Sequence, residues 1–242
     1  MEMNNYIKID LFIIIFYELD RQLCYQMVSQ YKHSKKTTCK NKFKCNNLLK
    51  NAIQSNNITD AHILDGTRFG TTKSLLNTGI KKINCIQGKK NDLKNMKQNL
   101  YRNKKKNNFE QWNKVSISFS KMNKYISNLK LESNNRSAIY YDGMATWDSC
   151  TWGTSIHNDF YELVKQFHTS TSDYLLCAIT VSTRNATYIN KTKYNDSSYK
   201  HIILNDMLSI VNNFNIRLQL NNELAYPSMY FIMISLYKKH IP

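Results

Sequence analysis

The chain has 242 residues, with 34 Lys and Arg against 17 Asp and Glu, only two Pro and six Gly, and a net charge of +17. A hydrophobic share of 42% supplies a real core and excludes wholesale disorder, and the length fits one large domain or one domain with an extension. The longest apolar run, Leu11–Tyr17, is flanked by Asp10 and Glu18 and falls far short of the roughly 20 residues that span a bilayer. The expectation is an intracellular protein, cytoplasmic or nuclear, without a membrane anchor.

Leu11, Ile14, Ile15, Leu19, Leu23, Met27 and Val28 stand near helical spacing and predict an amphipathic helix over Tyr6–Tyr31. A lysine-rich arm follows, and then a short helix over Asn46–Ser55. From Asp60 strands and helices alternate. Ala61–Leu64 reads as a strand ended by the Asp65–Gly66 turn, and Thr71–Asn77 as a helix stopped by Gly79. Lys82–Ile86 is a second strand, and Asp92–Lys105 a helix with Asp92 at its N-cap. Val115–Phe119 alternates as a third strand, Met122–Leu129 is a short helix, and Ser137–Tyr141 is a fourth strand.

Asp159–His168 carries Phe160, Leu163, Val164 and Phe167 on one helical face. Tyr174–Val181 is almost wholly apolar, as a strand covered on both sides must be. A helix over Ile202–Phe214 precedes two strands, Ile216–Leu220 and Met229–Tyr237, with no room for a helix between them. The expected fold is therefore α/β: a Rossmann-like, doubly wound, mostly parallel seven-stranded sheet that ends in an antiparallel hairpin. An N-terminal helical extension, residues 1–58, precedes the domain at 59–242.

The charge is confined. Residues 30–50 hold seven basic side chains and no acid, and residues 81–106 hold ten against Asp92. Everything else is close to neutral. Two such stretches suit an anionic partner, and the expectation is phosphate contact with a nucleic acid. The alternative is composition: 28 Lys, 31 Asn and 16 Tyr also follow from A/T-rich coding. Lysine meets phosphate as a point charge, so such binding is salt-sensitive and poorly sequence-specific.

The six Cys form no CxxC pair and the six His no HExxH pattern, so no metal site is expected. Five N-x-S/T sequons are about what an Asn-, Ser- and Thr-rich chain produces by chance. A reducing compartment is the simpler reading. GTRFGTTK lacks the GK[ST] of a phosphate loop.

The element order, with HILDGTRFGTTKSLL after the first strand, INCIQG closing the second, IYYDGMATW closing the fourth and YPSMYFIMISLYKK as the last, resembles the class I (Rossmann-like) S-adenosylmethionine-dependent methyltransferases over about residues 59–242. The resemblance implies S-adenosyl-L-methionine as cofactor, bound near Asp65, Gly66, Gly70, Gln87 and Asp142. Gln87 replaces the family's ribose-binding acid, and the full GxGxG is missing. It also implies Asp142 and Arg184 as catalytic candidates; with Glu223 these sit loosely where some ribose methyltransferases keep a tetrad. Substrate-binding candidates are Tyr141 and Trp147 for stacking a base, and Lys104, Lys105 and Lys106 for phosphate.

Two rivals stay open. One is a nicotinamide-dependent oxidoreductase, which usually shows fuller GxGxxG spacing. The other is a catalytically inactive Rossmann-like module that binds nucleic acid or a partner.

Overall fold

In the computed structural model the described residues are 40–106, 109–142, 146–147, 155–183, 196–226 and 229–239. The helix expected over Tyr6–Tyr31 lies outside them. The chain divides into two units, Met1–Lys44 and Cys45–Pro242, and the second contains the sheet.

The described elements begin with helix α1 (residues 40–55), followed by β1 (Asp60–Leu64), α2 (Gly70–Leu75), β2 (Lys82–Gln87), α3 (Lys90–Lys106), α4 (Phe109–Asn113), β3 (Val115–Phe119), α5 (Met122–Ile126) and β4 (Ser137–Asp142). Then come α6 (Ile156–Thr169), β5 (Tyr174–Ser182), α7 (Asp196–Asn213), β6 (Ile216–Tyr226) and β7 (Met229–Lys238). The seven strands form one sheet in the order β3-β2-β1-β4-β5-β7-β6. β1 to β5 pair in parallel, while β7 runs antiparallel between β5 and β6. The expected fold, hairpin included, is the observed one.

The period-two alternation of side chains along each strand divides the core in two. Ala61, Ile63, Ile83, Cys85, Ala138, Tyr140, Leu176 and Phe231 face one layer with Leu49 and Ile53 of α1, Leu75 of α2 and Met96 of α3. Ile139, Leu175, Cys177, Ile179, Ile232 and Ile234 face the other, under α5, α6 and α7. All nine residues of β5 are buried, as the apolar run Tyr174–Val181 requires.

Boundaries differ in instructive places. Asp92 is not an N-cap: α3 begins at Lys90 and Asp92 lies in its first turn, because the side-chain oxygen of Gln87 accepts the Lys89 N–H at 2.9 Å and starts the helix earlier. α4 was not expected, since one turn of FEQWN shows no period. β6 runs six residues past Leu220 because a bulge absorbs Asn221, whose side chain donates to the Ser235 hydroxyl at 2.7 Å.

Phe231 is fully buried and meets Tyr140 edge-on at 6.2 Å between centroids. Phe231→Ala is expected to cost about 3–5 kcal/mol of stability. Phe119, 55% exposed, is expected to tolerate Ala within about 0.5 kcal/mol. Urea melts of the two variants check the contrast.

Candidate functional site

The parallel strands β1, β2 and β4 end together. Leu64 pairs with Ile86 of β2, and Ile63 with Tyr140 of β4, so the loops after all three leave from the same sheet edge. The carboxyl edge of such a sheet is where doubly wound folds bind ligands.

The first loop is tied down by Asp65, which is 5% exposed. One carboxylate oxygen accepts the Gly66 N–H, and the other accepts both the N–H and the hydroxyl of Thr72, each at 2.8 Å. Asp65 thus spans the loop and holds the start of α2. Its oxygens turn inward, so it shapes the loop. A β-carbon added at Gly66 or Gly70 would meet nothing within 4 Å, so open space lies over the backbone there. Between them Phe69 enters α2 with φ 56° and ψ 46°, a left-handed conformation costing a non-glycine residue roughly 1–2 kcal/mol. Its fully buried ring packs edge-on against Trp112 at 5.6 Å, which offsets the strain.

Gln87 closes β2 and is 9% exposed; its amide oxygen is taken by Lys89, while its amide nitrogen has no partner among the described residues. Asp142 closes β4 half-buried. The neighbouring Tyr141 is also half-buried, and its hydroxyl is pushed well above the usual tyrosine range by burial and by the carboxylate of Asp159. These residues share the edge, as expected.

Trp147 is fully buried: its ring tilts against Phe160 at 6.0 Å and its indole N–H donates to Asp206 at 3.1 Å. It is a core side chain, with no open face for a base. Arg184 lies outside the described residues. Lys104, Lys105 and Lys106 form the last turn of α3. Further along that helix Lys90, Lys94, Lys97, Tyr101 and Lys105 are all exposed. Their spacing of three and four puts them on one flank, over about 22 Å. Tyr101 is 67% exposed. Glu223 is taken up by Lys200 and by the Tyr230 hydroxyl, which donates to it at 2.5 Å. Among the described residues no cluster of His, Cys, Asp or Glu could hold a metal ion.

The sequence reading missed Asp159. It is 2% exposed and faces the Tyr141 hydroxyl, neither of its oxygens has a partner at hydrogen-bond geometry among the described residues, and burial raises its pKa from 3.8 to about 6. It lines a small apolar cavity with Tyr141, Ile139, Phe160 and Ile179. The signal was present: Asp159 stands three residues after Ile156 and four before Leu163, on the apolar face of α6.

No family model matches the sequence, and no curated protein does either. Among solved structures the chain is similar to Trm1 from Pyrococcus horikoshii, solved in complex with S-adenosyl-L-methionine, at 9% identity and a TM-score of 0.57, over 80% of this chain and 54% of that one. It also matches the methyltransferase domain of bacterial CtHen1 at 11% identity and a TM-score of 0.49, over 81% and 98% of the two chains. For EvdMO1 the figures are 8% identity, a TM-score of 0.43, 75% and 37%. The fold is that of the class I methyltransferases. The chain spans about half the length of Trm1 and little more than a third of EvdMO1.

Two buried groups give this fold opposing pH responses. The proton on Asp159 favours the folded state, so its contribution to stability falls as pH rises from about 4 to 6, by roughly 3 kcal/mol. His62 is held down from 6.5 to about 4 by burial and by Lys82; its contribution is lost as pH falls through that window, by a similar roughly 3 kcal/mol. Asp159→Asn is therefore expected to stabilise the protein at pH 7 by roughly 2–3 kcal/mol and to steepen its loss of stability between pH 6.5 and 4. Urea denaturation at both ends of the window measures it.

Proposed function

We propose that this chain transfers a methyl group from S-adenosylmethionine to a nucleic acid. The observation that carries the reading is the placement of β7, antiparallel between β5 and β6, which separates this fold from plain dinucleotide-binding sheets. The chemistry at the carboxyl edge fits the cofactor. Open space over Gly66 and Gly70 lets a ligand approach the loop backbone closely. The Gln87 amide nitrogen is a donor suited to a ribose hydroxyl, and Asp142 is an acid at the end of β4. When bound, the cofactor supplies an electrophilic methyl group. The chain's own part is alignment: Asp65 fixes the loop, and the half-buried strand ends keep water low where nucleophile and methyl meet.

The lysine flank of α3 supports the substrate class. Its charges repeat every three or four residues beside an exposed Tyr101, the combination of cations and aromatic platform that suits a single strand. The inward turn of Asp65 and the Gln at position 87 favour, as a second reading, an inactive module that retains the fold.

Isothermal titration separates the two readings. S-adenosylmethionine is expected to bind the wild type, and Gly70→Val, which fills the space over the loop, is expected to weaken binding at least roughly tenfold, about 1.4 kcal/mol, without a change in melting temperature. Absence of binding by the wild type would sink the enzyme reading. For the substrate, binding of a single-stranded oligonucleotide is expected to weaken with salt. Lys97→Gln with Lys105→Gln should flatten the slope of log K against log salt by about 1.4, and Tyr101→Ala should cost about 1–3 kcal/mol. An affinity indifferent to salt contradicts phosphate contact.

A further inference from the structure

In a doubly wound sheet both faces are covered, so strand residues on either face are ordinarily apolar. The α5 side of β1, β2 and β3 breaks this rule. His62, Asn84 and Ser116 stand in one registered row across the three strands, with Ser118 one pleat further along β3. His62 and Asn84 are buried, whereas Ser118 is half-buried and Ser116, on the edge strand β3, is exposed; the two buried polar side chains are the informative exception.

Here they form a closed network. The Asn84 amide donates to Ser118 at 2.9 Å and to the Tyr125 hydroxyl at 2.6 Å, and its oxygen accepts from Ser116 and Ser118 at 3.1 Å. The Tyr125 hydroxyl lies 2.6 Å from His62 Nδ1. Since Tyr125 already accepts from Asn84, its own proton goes to Nδ1, the remaining acceptor in the network. That fixes the ring as the tautomer with its proton on Nε2. His62 therefore presents a single N–H donor, held by a chain of four other side chains.

Against this row lies a cavity of about 360 Å³ at the amino edge of the sheet, lined by His62 and Tyr125. The next row outward contributes Ser137, Asp60 and Lys82, aligned across β4, β1 and β2. The segment after α5 adds Lys130 and Glu132. Two carboxylates and two ammonium groups thus line one cavity, and no ion pair joins any of the four to another described residue. Opposite charges that share a cavity with no close ion pair among the described residues suit a ligand that carries both signs. An anion would meet Asp60 and Glu132, and a cation would meet Lys82 and Lys130. The volume is in the range of small-molecule sites.

We propose that this amino-edge cavity binds a small zwitterion of the amino-acid class, its carboxylate against Lys82, Lys130 and the His62 Nε2–H, its ammonium against Asp60 and Glu132. The site lies at the opposite end of β1 from the loop of Asp65, about 15 Å along the strand. It stands independently of the methyl-transfer reading.

The test is isothermal titration of the full chain with L-serine, with N-acetyl-L-serine as the anion and L-serine methyl ester as the cation. Serine is expected to bind at least roughly tenfold more tightly than either derivative, about 1.4 kcal/mol. Lys82→Gln and Glu132→Gln, both at exposed positions, are expected to weaken serine binding with unchanged melting temperatures. Ring nitrogen NMR is expected to show the Nε2–H tautomer of His62. No binding, equal affinity for the three compounds, or binding indifferent to both variants would each overturn the proposal.

Discussion

The ladder between β5 and β7 is the constraint on which the rest of the molecule depends. Nine consecutive residues, Tyr174 to Ser182, pair with Tyr237 down to Met229, and β5 is buried throughout. A run with no polar alternation can be satisfied only in the middle of a sheet covered on both faces. That places the parallel strands on one side of β5 and the hairpin on the other. Because β7 reverses direction, the β6–β7 turn falls at the same edge as the ends of β1, β2 and β4. The edge that collects the loops is thus fixed by a pairing in the core.

At that edge the loop between β1 and α2 is shaped by side chains as much as by glycine. A tight Gly-rich turn lets backbone conformation do the work; here Phe69 takes the left-handed position and its ring is held by Trp112. Asp65 supplies the rest through three hydrogen bonds to Gly66 and Thr72. Side-chain anchors, rather than further glycines, set this loop. The loop keeps its shape and leaves open space above Gly66 and Gly70, but the acid that the sequence offers to a ligand's positive charge is occupied with the loop itself.

Much of the fold was legible because period and composition agree. The strand β5 announces itself, the helix α6 shows an apolar face, and the two terminal strands are too close together for a crossover. Contacts were less legible. Trp147 looks like a loop aromatic free to stack, yet Asp206 lies 59 residues away in sequence and receives its indole proton. The strand expected to end at Leu220 runs on, because the bulge at Asn221 and the bond to Ser235 keep β6 extended. Asp159 was read as the start of a helix, although helical spacing places it among apolar neighbours. For Trp147 and Asn221 a partner distant in the chain decides the outcome, and no local window contains it; for Asp159 the local spacing held the signal.

One short helix accounts for the two unusual features of the α5 face. β1 extends about 16 Å, whereas five residues of α5 cover only about 7.5 Å. Met122 and Ile126 close the carboxyl half, packing beside the cavity where Asp159 is buried. The amino half is left to the segment that follows α5, in which Leu129 and Leu131 are buried in the core while Lys130 and Glu132 line the cavity. His62 and Asn84 are buried there beside an exposed Ser116, and the three satisfy one another through Tyr125. The alternation within VSISF, which first marks β3 as a strand, is therefore also the trace of a sheet face built to meet something polar.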